Sequence, residues 1–95
     1  MIKTDVVTEV SKKTGLERKE VKNVLEAFFG IIKDSLTSGE NVYFRGFGSF
    51  ILKKRARKIG RNITKNTSIV VPEHYIPYFK PSKEFSIKIK ENVKP

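Results

Sequence analysis

The sequence predicts an α+β domain, helical to about residue 39 and built of antiparallel strands from there to about residue 80. Two patterns carry this. Up to Leu36 the apolar residues recur at three- and four-residue spacings; from Val42 onward they alternate with polar residues, punctuated by glycine and proline. A third observation concerns function. The thirteen residues Lys53 to Lys65 include seven cations, no acid, and too few aliphatics to close over a core. Such a stretch is held out toward a polyanion, and its flanks read as the scaffold that aims it.

Ninety-five residues make one small domain with a modest core, so support from a partner subunit is expected. Twenty Lys and Arg against ten Asp and Glu give a net charge of +10. Because that charge is clustered, nucleic acid is the expected partner, ahead of an anionic membrane. There is no cysteine, which excludes disulfides and thiolate metal sites. No apolar run approaches the ~18 residues of a membrane span, and Met1 to Asp5 lack a secretory layout. A soluble, intracellular protein is expected.

Taken in order, residues 4–14 predict a short amphipathic helix carrying Val6, Val7 and Val10. Thr4 is the expected cap, Asp5 suits the positive end of the dipole, and Gly15 stops the helix. Residues 17–38 hold the strongest helical pattern: Val21, Val24, Leu25, Phe28, Ile31, Ile32 and Leu36 share a stripe, and Ser38-Gly39 ends it. Gly30 implies either a close approach or a tolerated cost of about 1 kcal/mol. Phe29 widens the stripe beyond what one short helix would cover, which points to a dimer interface.

Residues 40–54 predict two antiparallel strands around the turn Gly46-Phe47-Gly48, with Phe47 as a core or interface aromatic. Ser68 to Phe79 is strand-like again, and Pro72 and Pro77 confine it to edges or bends. The basic stretch thus forms part of a long hairpin with Asn62 to Asn66 near its tip, where Asn66 tolerates a positive φ. Pro81-Ser82 is a helix-start signal, yet Phe85, Ile87 and Ile89 alternate as in a strand. Pattern alone leaves that last segment open.

Three blocks together, Arg45-Gly46-Phe47-Gly48-Ser49-Phe50, Arg55-Ala56-Arg57-Lys58-Ile59-Gly60-Arg61-Asn62 and Tyr75-Ile76-Pro77-Tyr78-Phe79-Lys80-Pro81-Ser82-Lys83, resemble the HU and integration host factor family of bacterial DNA-bending proteins. The resemblance covers nearly the whole chain. It implies an intertwined dimer: two N-terminal helices (1–39), a three-stranded antiparallel sheet (40–80) whose second and third strands extend into a protruding β-arm at about 53–75, and a C-terminal helix and tail (81–95). It therefore makes the last segment helical. The arms of the two subunits would wrap the minor groove of double-stranded DNA over a saddle-shaped sheet. Phe28, Phe29, Ile32, Phe44, Phe47, Phe50 and Phe79 would lie at the dimer interface.

At the arm tip the family normally has Gly-Arg-Asn-Pro, whose proline wedges between base pairs; here the residues are Gly60-Arg61-Asn62-Ile63. Ile63 becomes the expected intercalator, since isoleucine is among the side chains that minor-groove proteins insert. Asn66 is a second departure, standing where the family tends to have glycine. Lys53, Lys54, Arg55, Arg57, Lys58, Arg61 and Lys65 are expected to neutralise phosphates, with Lys3, Arg45, His74, Lys80 and Lys83 as further contacts and Asn62 reaching the groove floor. No cofactor or metal is expected, and a single His without Cys gives catalysis little to work with. The expected role is a nucleoid-associated cytoplasmic DNA-bending protein, as a homodimer or a heterodimer with a paralogue. Charge alone would equally permit an RNA-binding or ribosome-associated protein.

Overall fold

A computed structural model describes residues 1–62 and 67–95. Its elements run α1 (Lys3–Thr14), α2 (Arg18–Thr37), β1 (Val42–Phe44), β2 (Gly48–Arg55), β3 (Lys58–Asn62), β4 (Thr67–Val71), β5 (His74–Pro81) and α3 (Lys83–Asn92). The chain divides into two compact units, Met1–Ser35 and Leu36–Pro95. No helix among the described residues is long and apolar enough to cross a membrane.

In the first unit, α1 starts one residue earlier than the sequence suggests, with Ile2 rather than Thr4 at the cap position. The reason is Asp5. Its carboxylate reaches back to accept the Ile2 N–H at 2.8 Å, satisfying a donor the helix leaves unpaired, while Thr4 sits inside the first turn. Gly15 ends the helix at φ 77°, donating its N–H to the Ser11 carbonyl at 2.9 Å. In α2 the Glu17 carbonyl accepts from Val21 at 3.0 Å. A Cβ built at Gly30 meets nothing within 4 Å, so no described residue of this chain approaches the helix closely there.

The second unit holds the sheet, in the order β1-β2-β5, with β3 and β4 pairing only with each other. The turn joining β1 to β2 closes with Phe47 N–H donating to the Phe44 carbonyl at 3.1 Å. Gly48 follows it, beneath an aromatic cluster: Phe47 lies 5.1 Å from Phe79 and 5.6 Å from Phe85, and Phe50 lies 5.0 Å from Phe79, centroid to centroid. Pro77 and Pro81 are tolerated because β5 is an edge strand, where a missing N–H breaks no ladder.

Pairing along the long hairpin is interrupted. The ladder runs to Arg55 opposite His74 and resumes at Lys58 opposite Val71. Two residues are skipped on each strand, so the register is the same on both sides of the gap. Pro72 falls in it and has no N–H to donate. The basic stretch thereby spans two ladders rather than one.

The last segment is helical, and Ser82 explains why its alternation does not prevail. The Ser82 hydroxyl oxygen accepts from Phe85 N–H at 3.1 Å, and the same hydroxyl donates to the Gly46 carbonyl at 3.0 Å. Its backbone N–H reaches the Phe47 carbonyl at 2.9 Å. One serine thus starts α3 and ties it to the β1–β2 turn. Ser82→Ala is expected to lower stability by about 1–2 kcal/mol, the usual cost of losing a cap, read as a lower midpoint in urea at unchanged m-value. An unshifted midpoint would mean the cap contributes nothing.

The core is small. Among the described residues the buried apolar side chains are Val7, Val21, Ile32 and Leu36, and no side chain is fully sealed from solvent. Phe28 and Phe29 remain 40% and 41% exposed, and Phe47 is exposed as well.

Candidate nucleic-acid interface

The cations of the basic stretch lie along β2 and its continuation into β3. Lys53, Lys54 and Arg55 close β2, Arg57 lies in the unpaired gap, and Lys58 opens β3; all five are exposed. Strand geometry spaces them ~3.3 Å apart with alternating faces. Two already have partners. The Lys54 ammonium lies 3.0 Å from the Glu73 carboxylate, and the Lys53 ammonium sits 4.4 Å from the centre of the Tyr78 ring. Arg55, Arg57 and Lys58 make no ion pair among the described residues.

Arg61 and Asn62 have their backbones in β3, opposite Ser68 and Thr67. Ile63, Lys65 and Asn66, expected at the tip as wedge, cation and turn, lie outside the described residues. The ladder behind the tip is unusually apolar for a solvent-facing hairpin. Ile59 is 68% exposed, and Ile69, Val70 and Val71 on the returning strand are exposed too.

Away from the hairpin, β-sheet register brings Arg45, Lys80 and Lys83 around one recess of about 690 Å³, together with Ser49 and Ser82. No acidic side chain lines it. Arg45 is 35 residues from Lys80 in sequence, and the pairing of Ser49 in β2 with Lys80 in β5 closes that distance. Lys3 belongs to the first unit, where it pairs with Glu26 at 3.2 Å. His74 is exposed at the start of β5, with its Nδ1 2.8 Å from the Pro72 carbonyl oxygen. Among the described residues no cluster of three His, Cys, Asp or Glu could hold a metal ion.

Of the expected interface aromatics, Phe44, Phe50 and Phe79 are half-buried in the sheet cluster and Phe47 stacks on it. Ile32 is already buried within its own chain, unlike Phe28 and Phe29 on the same helix. Sequence reasoning missed Glu73, the one acid between β4 and β5 and the group that neutralises Lys54. It also passed over Tyr43 and Tyr78. Their alternation with Val42, Phe44 and Phe79 was the available signal.

Comparison with known proteins agrees with this geometry. Residues 1–90 match a protein family described as bacterial DNA-binding protein. The chain is 38% identical over 90 residues to the DNA-binding protein HU of Thermotoga maritima, covering 95% of this chain and 100% of that protein. It is 34% identical over 94 residues to the integration host factor subunit beta of Colwellia psychrerythraea, covering 98% and 99%. Among solved structures it resembles the Anabaena HU–DNA cocrystal structure with a TM-score of 0.87 at 31% identity, over 99% of this chain and 100% of that one.

Proposed function

Because the chain belongs to the bacterial DNA-binding protein family of HU and integration host factor, an architectural DNA-binding family, we propose that it works as a dimer whose β-arms enter the minor groove and bend duplex DNA. The observation that carries this reading is the hairpin: a separate two-stranded ladder continuing a row of exposed cations, with aliphatic side chains left facing solvent. Cations alone would suit any polyanion. The exposed Ile59, Ile69, Val70 and Val71 suit a groove lined by sugar edges, where they leave water as the arm docks.

In this mechanism Lys53, Lys54, Arg55, Arg57, Lys58, Arg61 and Lys65 displace counterions from phosphates, and Arg45, Lys80 and Lys83 hold the backbone where it crosses the sheet. Ile63 unstacks one base step at each arm tip. Unstacking costs a few kcal/mol per step, offset by the contacts that bent DNA makes along the protein. Sequence preference then comes from deformability and groove width more than from base edges. The protein acts by binding rather than catalysis, on the nucleoid in the cytoplasm. A bending assay on random, pre-bent and RNA duplexes across a salt series tests it; tighter binding to duplex RNA would sink the reading. Ile63→Ala is expected to keep the salt slope and lose most of the bend, and intact bending would remove Ile63 from the wedge role.

The thin core supports the dimer. Four buried apolar residues are few for a chain this long, whereas covering Phe28, Phe29 and Phe47 adds about 1.5–3 kcal/mol per fully buried ring. Folding coupled to association makes the melting temperature rise with protein concentration. A Tm independent of concentration over two decades, with a monomeric mass in solution, would count against it.

A further inference from the structure

β1 is only three residues long, so the three-stranded sheet narrows to two strands partway along β2. Its last rung sets Val42 opposite Phe50, and continuing that register would put Glu40 opposite Leu52. The strand has ended by then. The Leu52 N–H is met instead by a side chain, Asn41 Oδ1 accepting it at 3.0 Å. The other half of the same amide is engaged as well, Asn41 Nδ2 donating to the Tyr43 hydroxyl at 3.2 Å. A backbone N–H can only donate, which fixes the amide with its oxygen toward Leu52 and its nitrogen toward Tyr43. Past Leu52, β2 runs on as Lys53, Lys54 and Arg55, paired in the ladder with β5 alone.

We propose that Asn41 is a positioning residue for DNA bending: its amide supplies the missing third-strand rung at Leu52 and so fixes where the sheet ends and the two-stranded arm begins. A ribbon of two strands twists more, and is held less firmly, than a sheet of three. The point at which the third strand ends is therefore the root about which the arm turns. With Asn41 in place that root lies at Leu52. Without it the last β1 rung is at Phe50, two residues or ~7 Å further from the tip. A longer free lever aims the same cations over a wider range of directions. The effect passes through the backbone and removes no cation, so phosphate neutralisation is kept while the shape imposed on the duplex loosens. This role rests on the hairpin being the DNA-bending arm.

Amide hydrogen exchange of the full chain without DNA reads the rung directly. Asn41→Ala is expected to speed exchange at the Leu52 amide about fivefold, the equivalent of one ordinary hydrogen bond. Phe50, which pairs with Val42 in β1, is expected to stay unchanged. Asn41→Asp restores the protection of Leu52, since a carboxylate accepts the same N–H while the Tyr43 hydroxyl turns to donate to it. Energy transfer across a duplex labelled at both ends then reads the bend at saturating protein. Asn41→Ala is expected to lose mean bend and broaden its distribution, while the salt slope of its affinity changes by less than about 1. A retained circular dichroism spectrum excludes misfolding. Unchanged Leu52 exchange in Asn41→Ala, or exchange in Asn41→Asp as fast as in Asn41→Ala, overturns the rung. Faster exchange with an identical bend distribution overturns the positioning role, as does a lost bend whose salt slope flattens by more than about 1, the sign of lost phosphate contacts. Each of these leaves bending by the arm to stand. A parent protein that binds duplex without bending it overturns the bending reading and this role together.

Discussion

Replacing Gly48 with alanine is expected to destabilise the protein by about 3 kcal/mol, the upper end for overpacking a filled site. A Cβ at Gly48 would lie 2.6 Å from the Lys80 carbonyl oxygen and 2.6 Å from Cζ of Phe79. Neither neighbour can give. The carbonyl belongs to the β5 backbone paired with β2, and the Phe79 ring is held between Phe47 and Phe50. For a chain this long the shift in melting temperature is roughly 12–24 °C downward, measured at matched protein concentration. Gly60→Ala is the control, because its Cβ would meet only the Ile69 carbonyl oxygen at 3.9 Å, an ordinary contact. A Gly48→Ala protein melting within a degree or two of the parent would show that the β1–β2 turn and the ring cluster are looser than described.

The second large effect falls on binding and leaves stability nearly untouched. Arg55, Arg57 and Lys58 are exposed and make no ion pair among the described residues, so changing all three to alanine should cost the fold under about 1 kcal/mol. A dimer loses six cations. At about 0.9 counterions per phosphate contact, the slope of log K against log salt should flatten by up to about 5. Duplex affinity near 0.1 M salt should fall by on the order of 10³-fold or more. A slope change below about 1 would place the phosphate contacts elsewhere, with the Arg45, Lys80 and Lys83 recess next in line.

Much of the architecture was legible in the pattern of residues, and the exceptions have identifiable causes. The long helix was readable to within one residue at each end, because its stripe of Val21, Leu25, Ile32 and Leu36 repeats over about four turns and Gly39 stops it. The start of α1 was not, since Thr4 and Asp5 can both satisfy a free N–H and spacing does not choose between them. The alternation of Phe85, Ile87 and Ile89 misleads because it assumes a sheet edge to receive them. In the helix Ile87 and Ile89 simply stay half-exposed, and the Ser82 cap decides. The run of cations was plain in the sequence, but its neutralisation by Glu73 was not, because that pairing follows from hairpin register. The same holds for the recess, whose three cations meet only once Ser49 is set opposite Lys80.

The matched gap between the two ladders separates reach from framework. Because two residues are skipped on each strand, one frame runs from Gly48–Pro81 out to Asn62–Thr67. Adding a residue to both β3 and β4 would lengthen the hairpin by ~3.3 Å and leave every pair between β2 and β5 as it is. Adding one to a single strand would turn the outer side chains to the opposite face. Arm length can therefore drift over generations as an adjustable ruler, in paired increments, while the sheet that carries it stays under its own constraints.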